Sequence, residues 1–498
     1  MTDAVRDSKM FLFLFLSAFI VPNSVVAQEA YNETQVCYGV LGCFNNSAPY
    51  NNSFGDLPKS PEELGVRIWL FTRDNRSSHD VLNYTDASSL SDSRFDPTKM
   101  TKFIIHGFSS SFEKTHWILE MKDKLLNIGD FNVVAVDWSK GATFPDFPQA
   151  TANLRLVATE VKRILDMMRN MGLDMSKVHL IGHSLGAHLS GYVGQLMGPN
   201  VIGRISGLDP AEPSFKGFTY VVKLDKEDAQ FVDVIHTDGS DFDLLSGGFG
   251  LMDESGDVDI YVNGGQKQPG CKDGVDGLFG GGGSSLENSV ACSHGRAHDI
   301  FLESIDTTCN FTAYPCSSFE KFENGECFNC DSGCTSVGFN SDQYSARGKF
   351  FVDTHHKPPF CGIPYHIKVY PDTAAVNTSG LIYVTLIGDI NSTDYIPINS
   401  KNQHLNHLTE ISSNVVFTID VGTISSVQIK YERELGFLGG LFGSSSAPTF
   451  SIGGIEVLSP TTGQWSSSCR GTYQLRDRTP LTVITNSGRS ADACTVVG

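Results

Sequence analysis

Between residues 100 and 240 the chain alternates apolar, β-type runs with helical patterns, and this alternation limits what it can fold into more than any other feature. "KFIIHGF", "NVVAVDW", "VHLIGH", "RISGLDP" and "FVDVIHT" read as short strands. Between them "EKTHWILEMKDKLLN", "NLRLVATEVKRILDMMRNMG" and the residues after Ser184 read as helices. Strands of this kind separated by helices predict a mainly parallel sheet covered by helices. From about residue 363 the character changes. "YHIKVYPDT", "GLIYVTLIGD", "NVVFTIDVGTISSVQIKYE", "TFSIGGIEVLS" and "TYQLRDRTPLTVITN" are short alternating strands divided by Gly, Asn and Ser turns, which predicts a β-sandwich. At 498 residues the chain exceeds what one hydrophobic core supports. The expected organisation is a signal peptide over 1–27, an α/β domain over 28–360 and a β-sandwich over 361–498, joined near the paired prolines of "THHKPPFCGIP".

The first residues carry Arg6 and Lys9, then an apolar run, then small residues at Val25 to Ala27, the pattern of a secretory signal peptide. The alternative is a membrane anchor, for which the run before Pro22 is short. Export implies an oxidising compartment, so the twelve cysteines read as up to six disulfides. "CFNCDSGC", with Cys327, Cys330 and Cys334, also has the spacing of half a zinc site, but no complementary histidine pair accompanies it. Eight Asn-x-Ser/Thr sequons, at Asn32, Asn45, Asn51, Asn75, Asn83, Asn310, Asn377 and Asn391, agree with secretion. The formal net charge is −19, with 37 basic and 56 acidic residues. There is no basic stripe to neutralise phosphates or sulfates, which disfavours nucleic acid and heparin-type polyanions as partners.

"VHLIGHSLGAHLSG" places Gly182-His-Ser184-Leu-Gly186 between a strand and a helix. Glycines on both sides of the serine suit a sharp strand-to-helix turn that holds its hydroxyl out over the sheet edge. A serine needs a base, and the base an orienting acid. Asp209 in "GLDPAEP" and His294 in "ACSHGRAHD" follow in the order of an α/β-hydrolase, and both are expected at strand-to-loop junctions. His236 and His298 are rival bases, and Asp233 and Asp238 rival acids. His183 and His188 read as structural, because neighbours of an elbow serine point away from its hydroxyl. A tetrahedral intermediate needs two N–H donors, for which Leu185 and Phe108 in "FIIHGFSS" are the candidates.

Taken in order, "CYGVLGCF", "TKFIIHGF", "VVAVDWSKGA", "VHLIGHSLGAH", "RISGLDPAEPSF", "KLDKEDAQFVDVIHTDG", "VNGGQKQPGC" and "ACSHGRAHD" resemble the motifs of the pancreatic lipase family over essentially the whole mature chain. The resemblance implies an α/β-hydrolase domain followed by a PLAT-type β-sandwich, with Ser184 as nucleophile, Asp209 as acid, His294 as base, and Phe108 and Leu185 as the oxyanion hole. It implies a structural Ca²⁺ held by the carbonyls of Tyr220 and Lys223 and the carboxylates of Asp225 and Asp228. Read without the family, that stretch is a short acidic surface helix. It also implies disulfides Cys37–Cys43, Cys271–Cys292, Cys316–Cys327, Cys330–Cys334 and Cys469–Cys494. Cys309 and Cys361 remain, as a sixth bridge across the domain junction or as free thiols.

In that family a disulfide-closed loop covers the site, and the twenty residues between Cys271 and Cys292 take its place. Their number, and the retained second covering loop in "HTDGSDFDLLSGGFGLMDESGD", favour triacylglycerol over phospholipid. Their composition departs from the family: "GLFGGGGSS", with Leu278 and Phe279, disfavours a stable helix because each glycine costs about 1 kcal/mol. A cover of that kind implies weak activation by an interface. "YERELGFLGGLFGSSSAP" puts Leu435, Phe437, Leu438, Leu441 and Phe442 among glycines, which reads as a lipid-touching loop. The expected function is a secreted triacylglycerol lipase acting on droplet or emulsion surfaces, with a colipase-like protein as a possible partner of the C-terminal domain. Phospholipase A1 or galactolipase activity on the same triad, and a non-catalytic lipid-binding relative, are the alternatives.

Overall fold

The computed structural model describes residues 34–113, 115–240, 248–271, 292–373, 375, 378–399, 403–433 and 449–489. Packing divides the chain into two compact units. One comprises Met1–Tyr261, Gly265–Asp306 and Val337–Gly348; the other comprises Val262–Gly264, Thr307–Ser336 and Lys349–Gly498.

In the first unit the five apolar runs form strands at Thr101–Ile105, Asn132–Asp137, Val178–His183, Arg204–Leu208 and Val232–His236. Every residue of these strands is buried, so no period-two alternation marks them in the sequence. They pair in parallel, in the spatial order 232–236, 204–208, 178–183, 101–105, 132–137. Further strands extend the sheet: Val258–Val262 lies parallel beside Val232–His236, while Arg67–Phe71 and then Asp80–Leu82 add antiparallel beyond Asn132–Asp137.

The chain steps from Thr101–Ile105 to one side through the helix His116–Ile128. It then crosses to the other side through Phe147–Asn170 and continues through Leu185–Met197. Right-handed crossovers running in opposite directions place their helices on opposite faces. Accordingly Phe147–Asn170 packs on Leu185–Met197, and His116–Ile128 packs on Cys292–Asp306. The helix expected from Asn153 begins at Phe147, because the Asp146 side chain accepts the Gln149 N–H at 3.2 Å and Pro148 suits a first turn. This is the α/β-hydrolase arrangement, and its strand order reverses beside Thr101–Ile105, where open α/β sheets take ligands.

The second unit is antiparallel. Its main strands run in the order Ile396–Pro397, Thr378–Gly388, Ile424–Arg433, Leu481–Ser487, Gln464–Ser468, Thr449–Ser459, Ile363–Pro371, Ile411–Phe417. Alternate side chains such as Ile367, Val369, Val427, Ile429, Tyr431 and Val457 meet in one core, giving a β-sandwich. Among the described residues five disulfides are formed: Cys37–Cys43, Cys271–Cys292, Cys309–Cys361, Cys316–Cys327 and Cys330–Cys334. Cys327, Cys330 and Cys334 are thereby spent on disulfides, which removes the half-zinc reading. Cys309 and Cys361 are bonded to each other, the bridge rather than the free-thiol alternative, and both belong to the second unit, so the bridge lies within that unit instead of across the junction. Cys494 lies outside the described residues.

At the N-terminal ends of the parallel strands a polar relay crosses the first unit's core. Lys102 Nζ lies 3.1 Å from His179 Nδ1, and His179 Nε2 lies 2.8 Å from Ser206 Oγ. The Ser206 hydroxyl donates to Asp233 Oδ1 at 2.9 Å, and Arg204 grips both oxygens of Asp233 at 2.8 and 3.1 Å. Burial, and then the Arg204 charge, lower the Lys102 ammonium from 10.5 to about 7. Between those values the unfolded chain binds the extra proton, so this group makes stability rise with pH across the window. Lys102→Met is expected to remove that contribution, up to about 1.4 kcal/mol per pH unit, from the stability profile measured by thermal unfolding between pH 7 and 10.

Candidate functional site

Ser184 stands where Val178–His183 ends and the helix Leu185–Met197 begins, at φ 58° and ψ −121°. A non-glycine residue held there stores roughly 1–3 kcal/mol of strain. The neighbouring glycines make it possible. A Cβ on Gly182 would lie 2.2 Å from Gly186 O, one on Gly186 2.3 Å from Ile105 O, and one on Gly107 2.7 Å from Ser184 Cβ. The Leu185 N–H is among the four at a helix start that lack an intrahelical acceptor.

Asp209 follows the adjacent strand Arg204–Leu208 and is itself held at φ 46°. His294 Nδ1 lies 2.6 Å from Asp209 Oδ2. The other carboxylate oxygen accepts the N–H groups of Thr237 (2.8 Å) and Asp238 (3.2 Å), which follow the next strand, Val232–His236. Gly250 lets a loop pass close by, since a Cβ there would lie 2.4 Å from Asp209 Oδ1. His294 departs from expectation in one respect: it lies in the first turn of the helix Cys292–Asp306, not at a strand-to-loop junction. Gly295, a poor helix former in the first turn, hides the helical reach of "CSHGRAHDIFLESID" in the sequence.

Phe108 follows Thr101–Ile105, the strand on the other side of Ser184, and packs against Phe147 and Phe144 with ring centroids 5.1 and 6.5 Å apart. The turn before it is braced. His106 Nε2 lies 3.1 Å from Trp138 N and 3.3 Å from Asp137 Oδ1, its Nδ1–H donates to Gly107 O (2.9 Å), and Trp138 Nε1–H donates to His106 O (2.8 Å). Reading the motif alone missed this bracing, although a histidine and a tryptophan ending neighbouring strands were visible.

The rival residues are otherwise engaged. His236 lies 2.7 Å from Leu251 O and 2.9 Å from Asp259 Oδ1, and Asp233 belongs to the relay. His188 Nε2–H donates to Ala211 O (2.8 Å), and burial lowers the ring to about 3. His298 stacks on Trp117 at 5.0 Å. Asp238 comes nearest to competing, since one of its oxygens, one of Asp209 and a ring nitrogen of His294 lie within 4.8 Å of one another; its Oδ2 accepts the Phe249 N–H at 3.0 Å.

Tyr220, Lys223, Asp225 and Asp228 fall in consecutive short turns beside the helix Leu185–Met197. Asp228 is buried. Burial, with the charges of Asp225 and Glu227 adding to it, pushes its carboxyl up to about 8 despite the hydrogen bond from Asp225 N–H (2.9 Å). Gly191 and Gly194 on the helix form its cradle, since a Cβ would lie 2.8 Å from Asp228 Oδ2 or 2.2 Å from Asp228 O. The Gln195 side chain also bonds the carboxyl, and a buried carboxylate with acidic neighbours at Asp225 and Glu227 fits a hard cation. Leu278, Phe279, Leu435, Phe437, Leu438, Leu441 and Phe442 lie outside the described residues; Cys271 and Cys292, which bound the first pair, are bonded to each other.

A strained serine follows one strand, a carboxylate follows the next and a histidine meets that carboxylate, as the sequence leads one to expect, and the family follows from comparison. Residues 34–360 match the Lipase family model, and the chain belongs to that family. It is 35% identical over 421 residues to "Inactive pancreatic lipase-related protein 1" of Homo sapiens, covering 80% of this chain and 87% of the relative. It is 34% identical over 421 residues to "Pancreatic lipase-related protein 2" of Mus musculus, covering 80% and 85%. With "Pancreatic triacylglycerol lipase" of Oryctolagus cuniculus it shares 35% over 414 residues, covering 79% and 86%. Among solved structures, a "predicted CIB-like hydrolase" from Thermoplasma acidophilum covers 35% of this chain and 70% of its own at a TM-score of 0.22 and 17% identity, too slight a likeness to carry an argument.

Because the elbow rests on main-chain contact, Gly186→Ala is expected to destabilise the protein by about 3 kcal/mol or more, with esterase activity lost in parallel. Thermal unfolding checks it, since Ile105 O cannot rotate out of the way as a side chain does.

Proposed function

We propose that the chain is a secreted triacylglycerol lipase that cleaves ester bonds at a lipid–water interface through an acyl-enzyme. The observation that supports this most is the His294–Asp209 contact at 2.6 Å, made by the residue that follows the strand next to the one Ser184 follows. In this reading Ser184 Oγ attacks the ester carbonyl carbon while His294 Nε2 takes its proton. Asp209 holds the imidazole through Nδ1–H and stabilises the imidazolium that forms. The oxyanion is received by the N–H groups of Phe108 and Leu185. Collapse of the intermediate returns the proton from His294 to the leaving alcohol. Water, deprotonated by the same histidine, then releases the fatty acid and frees the serine.

The segment closed by Cys271 and Cys292, with Leu278 and Phe279, takes the place of the family's cover. Leu435, Phe437, Leu438, Leu441 and Phe442 would meet the lipid surface, and the C-terminal domain would receive any colipase-like partner. A secretory route is supported by the leader pattern and the disulfides. Retention of the two covering segments favours triacylglycerol over the phospholipids or galactolipids of the alternative. Some relatives of equal similarity carry "inactive" in their names, so the first test is activity itself. Incubation with triolein and with phosphatidylcholine emulsions is expected to release fatty acid chiefly from triolein, and Ser184→Ala to abolish the release. Activity persisting in Ser184→Ala would remove the mechanism; preference for phosphatidylcholine would favour the alternative.

Tyr220 O, Lys223 O, Asp225 and Asp228 would hold Ca²⁺, which supplies charge neutralisation for the buried carboxylate and takes no part in the ester chemistry. At calcium about 100-fold above its dissociation constant the stabilisation is ~2.7 kcal/mol. Chelation is therefore expected to lower the melting temperature by several degrees, with recovery on adding Ca²⁺ but not Mg²⁺. Asp228→Asn should erase this response, and an unchanged wild-type melting temperature in EDTA would count against the site.

A further inference from the structure

The sequence reading set His183 aside as structural, yet three pieces of the site meet on it. The residue is buried, and its Nε2–H donates to the main-chain carbonyl of His294 at 3.1 Å. Its ring centroid lies 4.6 Å from that of His294, 5.1 Å from His298 and 6.0 Å from Trp117. Its own carbonyl lies against the turn that leads to Phe108, since a Cβ on Gly107 would be 2.9 Å from His183 O. The next residue in the chain is Ser184.

We infer that His183 is a positioning residue that ties the main chain of His294 to the strand end presenting Ser184, fixing the distance between nucleophile and base. The inference rests on the hydrolase reading above. Asp209 alone holds the His294 ring by one atom, Nδ1, and leaves its main chain to follow the first turn of its helix. First turns lack intrahelical acceptors for their N–H groups and are where helices loosen. This one starts at Cys292, the anchor of the 272–291 segment, two residues before His294. A second anchor on the His294 carbonyl makes the base's position independent of the conformation of that segment.

The donor also has to keep its proton on Nε2 while His294 gains and loses one. Burial, then the charges of His294 and His298, hold His183 well below an ordinary imidazole, with His106 adding to this from the side of the Phe108 turn. The ring therefore stays neutral when His294 is charged. Trp117, which faces it edge-on, stacks on His298 at 5.0 Å, and His298 Nδ1 in turn lies 2.9 Å from Asp299 Oδ1.

The test compares His183→Leu, which removes the donor while filling the space, with His183→Gln, whose side-chain amide donates from nearly the same place. On a soluble short-chain ester His183→Leu is expected to lower kcat about 10–100-fold with KM little changed, the scale of a misplaced catalytic group. His183→Gln should recover most of that loss, and both variants should unfold cooperatively at temperatures close to one another. A normal kcat in His183→Leu, a loss confined to KM, or a loss that His183→Gln does not repair would each overturn the inference. Ser184→Ala run alongside separates the two levels: residual activity there defeats the underlying reading, whereas an inactive Ser184→Ala with a fully active His183→Leu defeats only the role given to His183.

Discussion

Main chain meets main chain around Ser184, and the site is built outward from that contact. Gly186 on the helix touches the carbonyl of Ile105 on the neighbouring strand, and Gly182 touches Gly186 across the turn. Any side chain at these points would lift the helix off the sheet. Because the helix sits so low, its first free N–H groups open at the same level as the turn after Thr101–Ile105. The parallel register then does the rest, since strands that run in one direction end on one side. Ser184, Asp209 and the turn at His106 to Phe108 share an edge because three adjacent strands stop there.

That part of the architecture could be read from the sequence because it obeys local rules. Apolar runs between helical patterns imply a parallel sheet, and a serine between glycines at a strand end implies an elbow. What could not be read was set by neighbours far away in the chain. Arg67–Phe71 and Asp80–Leu82 join the sheet only because Asn132–Asp137 offers an edge. His294 was found by its order after Ser184 and Asp209, but its helix was not, because a helix start between a cysteine and a glycine carries few of the usual signals. His183 reads as structural because it neighbours the elbow serine, and its partner, the main-chain carbonyl of His294, lies 111 residues further along the chain. The pairing of Cys309 with Cys361 was open to arithmetic, as the two cysteines left over, but its place within the second unit was not, since that depends on Thr307–Ser336 belonging with the later strands.

The same strands are polar inside at one end and host the candidate site at the other. The relay from Lys102 through His179 and Ser206 to Asp233 and Arg204 crosses four neighbours near their starts, with the three strands between their ends left to aliphatic residues such as Ile104, Leu180 and Ile205. Buried polar chains of this kind fix register, because a one-residue slip would leave each member without its partner. Register is also what brings Ser184 level with Asp209, so an interaction remote from the chemistry specifies the alignment on which it depends.

The bridge between Cys271 and Cys292 separates cleavage of the chain from loss of the molecule. It spans the whole stretch 272–291, so a protease that cuts any bond within that stretch produces two polypeptides that remain one covalent body. Neither new end is the start of the helix bearing His294, which stays anchored at Cys292. Nicking there and loss of the fold are separate events, and only reduction of the disulfide would join them.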